Sequence, residues 1–362
     1  MIAAVGGLYT LRLAAVNALA TCAISSRSVI ADMGGILMNE ALKLCRAFLC
    51  VTACALASAS PAAPRRNITI PAERFFPESI DADRDGALYV GSAGLGGVWK
   101  IGVGQTAPKP FVRPGAAKGR AIFGVKVDRA HRTVWACSNE LDDPLPGLPA
   151  TKVGSTLGKF DLATGRPVAS IALPPHTFCN DIAVAPDGTA YVSDSDSFRI
   201  FRVRPGSSVA ETWLAPSVLE RFGKVDIDGL AIGPDGRLYF NTYEQGGLYR
   251  VQLTRAKPRS VERLSTSRAI EHADGLRASA DGTLYMVEGS GALTRLEIRG
   301  RRVILHAIGG TFDRPASLAL TRDGIWVAET RIEDLFTNPV KTSGPFMLRR
   351  VAFDAGPNME AK

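Results

Sequence analysis

Histidine is scarce in this chain, four among 362 residues, and cysteine is placed where it can staple little. Of six cysteines, Cys22, Cys45, Cys50 and Cys54 fall before residue 60, which leaves Cys137 and Cys179. No Cys-x-x-Cys spacing is present, so a zinc site has few ligands to draw on. No apolar run reaches the roughly 20 residues that a membrane-spanning helix needs. No apolar stripe of helical period argues for a helical domain. The chain also lacks a Gly-x-Ser-x-Gly elbow, a P-loop and a dinucleotide fingerprint, which removes support for serine hydrolase, NTPase and dehydrogenase readings. Lys and Arg exceed Asp and Glu by 43 to 35, but the surplus is scattered. Without an aromatic-interleaved basic run no nucleic-acid partner is expected, and the charge reads as solubility with a leaning toward anionic substrates.

What is present begins with a leader. Met38 opens a stretch with Lys43 and Arg46, then the apolar run from Ala47 to Leu56, then Ala57-Ser-Ala59. A positive segment, an apolar segment and a small-residue cleavage site are the parts of a signal peptide. Residues 1–59 are therefore read as an N-terminal extension and signal peptide with its true start at Met38, and 60–362 as one domain. A buried N-terminal helix is the alternative. Val51-Thr-Ala-Cys54 also resembles a lipoprotein box, which would anchor the chain by a lipid at Cys54. Either leader places the mature protein in the periplasm or outside the cell, where Cys137 and Cys179 could pair; two buried free thiols remain an equal alternative.

One phrase recurs along the rest. Its clearest copies start at Asn180, Asp228 and Asp274; in each an Asp-Gly turn follows seven residues on and a Tyr eleven on. Glu78, Asp85-Gly86 and Tyr89 keep both spacings. Asp323-Gly324 supplies another copy, and Val127 to Trp135 a worn one, which makes six repeats of the 40 to 50 residues typical of a propeller blade. The content is short, β-branched and aromatic, with turns between. This predicts an all-β fold, a six-bladed β-propeller of four-stranded antiparallel blades. The sixth repeat runs out of chain, and Asn67-Ile-Thr-Ile70 is predicted to join it and close the circle.

The first residue of each repeat begins the innermost strand, so six such residues meet at one mouth of the central channel. Counting back from the turns, or eleven from Trp135, gives Glu78, Gly124, Asn180, Asp228, Asp274 and Ala316. Three carboxylates and an amide crowded together repel unless neutralised. All-oxygen ligation is hard-cation chemistry, and a roomy ring suits Ca2+ or another divalent cation. No histidine stands in the ring.

On Pro77-Glu78-Ser79, Asn180-Asp181 and Asp228-Gly229-Leu230, over roughly residues 70–353, the chain resembles the senescence marker protein (regucalcin)/gluconolactonase family of six-bladed propellers. The resemblance implies that Glu78, Asn180 and Asp228 hold a catalytic divalent metal. The family's second-blade Asn, which helps bind substrate, is here Gly124, so metal binding carries over better than sugar-lactone specificity. Asp274 is an addition, a fourth ligand or a base.

Long loops at about 138–155 and 330–344 flank the first blade. Leu145, Leu148, Leu335, Phe336 and Phe346 would line such a roof, and Gly124 and Ala316 would leave space for substrate. The function expected is a secreted metal-dependent hydrolase of a lactone or related ester. Asp228 or Asp274 is the base, and Gly124, His176 and His272 stand near the substrate. A non-enzymatic Ca2+-stabilised propeller that binds a protein or glycan is the alternative, and a propeller lyase or synthase is a third reading.

Overall fold

Each Asp-Gly pair reverses the chain where its spacing implies. Gly86, Gly188, Gly236 and Gly282 take φ of 88°, 84°, 70° and 87°, a region that a side chain resists. In each turn the aspartate accepts the backbone N–H two residues on: Asp85 from Ala87, Asp187 from Thr189, Asp235 from Arg237 and Asp281 from Thr283. Those fixed reversals set the flanking β-branched runs into antiparallel register.

The computed structural model describes residues 67–114, 121–140, 154–337 and 344–353. Six sheets result, five of four strands and one of five. In the first blade strands A to D are Pro77–Ala82, Leu88–Ser92, Val98–Ile101 and Lys109–Val112. The other innermost strands are Ala121–Asp128, Cys179–Val184, Ile227–Ile232, Ala273–Ala278 and Pro315–Thr321. Consecutive strands A pack side by side, and the sixth packs on the first. The protein is thus a six-bladed β-propeller. Among the described residues the only helices are short 3-10 turns, and no helix is long and apolar enough to cross a membrane.

The seam closes as the sequence predicts. Ile68–Ile70 pairs antiparallel with Phe346–Val351, Ile68 opposite Leu348 and Ile70 opposite Phe346. Ile68 and Ile70 are buried in a cluster with Phe76, Trp326 and Leu348, so the first and last stretches of the ring share one apolar core.

Burial falls from the axis outward. Strands A and B of the first blade are buried at every position, because a neighbouring blade covers each face. The outer strand Pro167–Ala172 is largely exposed. Cys137 on strand B of the second blade and Cys179 on strand A of the third form a disulfide across one inter-blade seam, Cα atoms 5.2 Å apart. Asn139 clamps the same seam, donating to the Cys179 carbonyl at 2.8 Å and accepting its N–H at 3.0 Å.

The chain divides into Met1–Ala63 and Pro64–Lys362. The expectations for the leader, with its Met38 start, cleavage after Ala59 and Cys54, lie outside the described residues, as do Leu145 and Leu148 of the second-blade loop. The sixth-blade loop forms a 3-10 turn over Ile332–Phe336. Leu335 and Phe346 do not line a roof, contrary to expectation: both are buried in the core at the seam, Phe346 with its ring 5.0 Å from that of Phe76. Phe336 alone of the three is exposed.

Candidate functional site

The ring residues owe their direction to a repeated irregularity. In all six blades the A–B ladder slips at the same place, between Pro77 and Ser79, Ile122 and Val125, Cys179 and Ile182, Ile227 and Leu230, Ala273 and Leu276, and Pro315 and Ser317. A bulge re-aims the side chain it contains. Here five of the six bulges turn Glu78, Asn180, Asp228, Asp274 and Ala316 toward one hollow at the channel mouth. About 10 Å3 of it is open to a water-sized occupant, room for a single water or bare cation.

The register corrects one of the six positions. In the second blade residues 128–133 turn the chain between the partners Val127 and Val134, against residues 83–87 between Ala82 and Leu88. That extra residue moves the count by one, so Phe123 holds the ring position and Gly124 the next. Phe123 packs edge-on against Phe178, ring centroids 4.7 Å apart, and joins the core at the seam of the first and sixth blades. Gly124 itself lines the hollow, and its missing side chain is also required by packing. A Cβ there would lie 2.2 Å from the Asn180 carbonyl oxygen, as one at Gly229 would lie 2.4 Å from that of Asp274. These glycines are small so that neighbouring blades can touch backbone to backbone.

Where the position after the ring residue carries a side chain, it ties a bulge. Ser79 accepts the Val125 N–H at 2.9 Å, Asp181 that of Leu230 at 2.9 Å, and Ser317 that of Ile80 at 3.3 Å. Each bond runs to the next blade and satisfies a donor that the slipped ladder frees.

Charge is layered along the channel. One layer down, Asp181 pairs with buried Arg277 at 2.7 Å and Asp81 with Lys126 at 2.8 Å. Burial works to raise Asp81, but Lys126, Arg277 and Arg129 outweigh it and hold the carboxyl below its ordinary range. The mouth layer has no such supply. Burial, then the charges of Asp228 and Asp181, push Glu78 well up, with Arg277 opposing. Burial, then Asp228 and Glu78, push Asp274 well up. Burial, then Asp181 and Asp226, raise Asp228 to about 8. Asp228 and Asp274 line the same hollow, and each acts on the other's affinity for a proton, as crowded acids do. Asn180 Nδ2 donates to Asp228 Oδ2 at 3.0 Å and to Ser195 Oγ at 2.9 Å. Asp228 Oδ1 is buried with no hydrogen-bond partner among the described residues.

This donor set fits a hard cation by its chemistry: carboxylate and amide oxygens, buried, without a charge partner of their own, one of them orphaned. Among the described residues no three His, Cys, Asp or Glu side chains already stand in ligand geometry. With their affinity for protons raised, the mouth acids would give up protons to a cation that entered.

A pH dependence follows. Asp228 binds its proton up to about 8 in the folded protein, against about 4 in the unfolded chain. Between those values the native state carries more protons, so stability is present below about 4 and is lost as pH rises toward 8. Thermal melts of metal-free protein should show Tm falling across that window. A Tm that rose instead would show the mouth acids to be charge-compensated.

The rim holds the two histidines differently. His272 takes φ of 56° and lies with its ring 5.0 Å from that of Tyr243, whose hydroxyl is 3.3 Å from Glu333 Oε1 on the sixth-blade loop. Burial, then Asp274, Glu333 and Asp228, push the Tyr243 phenol upward, so it stays an O–H donor. His176 is exposed, also at φ 56°, and its carbonyl accepts from Ser197. Tyr243 and Glu333 escaped the sequence reading, since neither belongs to the repeated column.

No protein-family profile and no curated protein sequence matches the chain. Solved structures do. A luciferin-regenerating enzyme superposes with a TM-score of 0.57 at 10% identity, over 80% of this chain and 96% of that one. A gluconolactonase from Xanthomonas campestris gives 0.53 at 13%, over 82% and 99%. Virginiamycin B lyase from Staphylococcus aureus gives 0.53 at 15%, over 72% and 80%. At these identities the likeness is one of fold alone.

Proposed function

We propose that the protein is a hydrolase of a lactone or related ester, dependent on a divalent cation, Ca2+ foremost, held by Glu78, Asn180 and Asp228. The observation that carries this is the mouth layer itself: three acids and an amide, aimed by bulges into a hollow of single-occupant size, with burial and mutual repulsion raising all three acids against the one opposing charge of Arg277. That the gluconolactonase and the lyase are enzymes on the same fold supports the reading as analogy. The disulfide supports a location outside the cytoplasm.

A divalent cation at such a site polarises a carbonyl oxygen and stabilises the charge that develops on it. The chain's own groups do the rest. Ionised Asp274 accepts a proton from the attacking water, whose oxygen adds to the carbonyl carbon; the ring C–O bond breaks and the proton passes to the departing alkoxide. Tyr243 donates a hydrogen bond at the rim.

One observation favours a second reading. Two neighbouring carboxyls with raised proton affinity can act as acid and base without a metal, and Asp228 and Asp274 line the same hollow and are both so raised. Turnover of a small lactone panel with and without chelator separates the two. The metal reading expects activity that chelator removes and Ca2+ restores. Activity indifferent to chelator supports the dyad, and a cation-loaded protein without turnover supports the non-enzymatic propeller.

A further inference from the structure

On the face opposite the ring mouth, a cavity of about 610 Å3 opens between the third and fourth blades, within the roughly 300–1,000 Å3 of small-molecule sites. Pro186, Tyr191, Pro205 and Leu253 give it apolar walls. Three arginines line it as well: Arg202, buried at 4% exposure, and the exposed Arg204 and Arg255.

The arginines outnumber the acids beside them. Glu211 takes both Arg202, at 2.8 Å, and Arg204, at 3.2 Å, and it also feels Lys257. Arg202 is held in place further by the Thr254 carbonyl at 3.1 Å, so one guanidinium is fixed in the wall, Arg204 shares the single Glu211 carboxylate with it, and Arg255 adds a third cation. Asp187 is the acid among the lining residues, and its carboxylate is turned back on its own turn, accepting the Thr189 N–H at 2.9 Å. Cationic groups that exceed their acids beside apolar walls are complementary to a small anion with an apolar body.

We infer that this cavity binds a small molecule carrying a phosphate or carboxylate group on an apolar body. The site is separate from the ring and independent of what the ring does.

Phenyl phosphate, benzoate and the neutral benzyl alcohol are the probes, titrated calorimetrically into the full chain. Both anions should bind and the alcohol should not, with affinity falling as salt rises. Arg204→Ala with Arg255→Ala should weaken phenyl phosphate by about tenfold or more. Both residues are exposed, so folding is not at stake. Glu211→Gln should tighten it, since the acid that occupies two of the arginines loses its charge. Anion binding that persists unchanged in the double variant, no anion binding by the parent, or weaker binding by Glu211→Gln would each overturn the inference.

Discussion

Asp228→Asn is expected to abolish divalent binding and lactone turnover together, while making the metal-free protein more stable at pH 8. Both signs come from one fact. Asp228 stands at the centre of the mouth layer, accepting from Asn180 and acting by its charge on Glu78 and Asp274. Asparagine keeps the shape and loses the charge. A ring with one fewer carboxylate should hold a divalent cation more than about a hundredfold less tightly, since even outer partners of metal ligands are worth 10- to 100-fold. The same loss relieves repulsion that the empty ring suffers above the acids' ordinary range, so the melting temperature of metal-free protein at pH 8 should rise. Asp281→Asn is the control: it serves a turn at the far end of a strand A, and should leave binding and turnover unchanged at a cost of about 1 kcal/mol. An Asp228→Asn protein that binds the cation normally would remove Asp228 from the site.

Deleting the chain through Ala72 should cost more stability than any single substitution. The deletion strips Ile68 and Ile70 from the core they share with Phe76 and Leu348. It also removes the pairing with Phe346, Met347 and Leu348. Truncating one buried isoleucine to alanine costs about 2–5 kcal/mol. Losing two, with their ladder, removes more than about 5 kcal/mol from a domain whose whole stability is typically 5–15. The last blade would also present an open edge. Denaturant unfolding should therefore show a large fall in midpoint or aggregation on expression. A midpoint near that of the parent would mean that the ring closes without this strand.

The parts legible in the sequence were those with a period. The Asp-Gly turns need left-handed glycine and an aspartate cap, and both leave fixed letters at fixed spacing, so blade number and closure by residues 67–70 could be read directly. Glu78, Asn180, Asp228 and Asp274 were legible for the same reason. What failed was what breaks the period. The second-blade turn carries one extra residue, which hid Phe123 behind Gly124. The bulges left a signal that spacing alone does not expose: the column after the ring reads Ser79, Gly124, Asp181, Gly229, Gly275 and Ser317, small because blades touch there or polar because a freed N–H needs an acceptor. Tyr243 and Glu333 meet from loops of different blades, and Leu335 and Phe346 turn inward, outcomes set by packing across the seam rather than by any local pattern.

Uptake of a cation by the ring should release protons. Calorimetric titration of Ca2+ into the protein at pH 7, repeated in buffers of different ionisation enthalpy, should give one site per chain whose apparent heat depends on the buffer, because protons held by Asp228 and its neighbours leave as the cation binds. Affinity should climb as pH rises toward 8. Absence of binding, or binding whose heat is the same in every buffer, would contradict a mouth layer of protonated acids waiting for a cation.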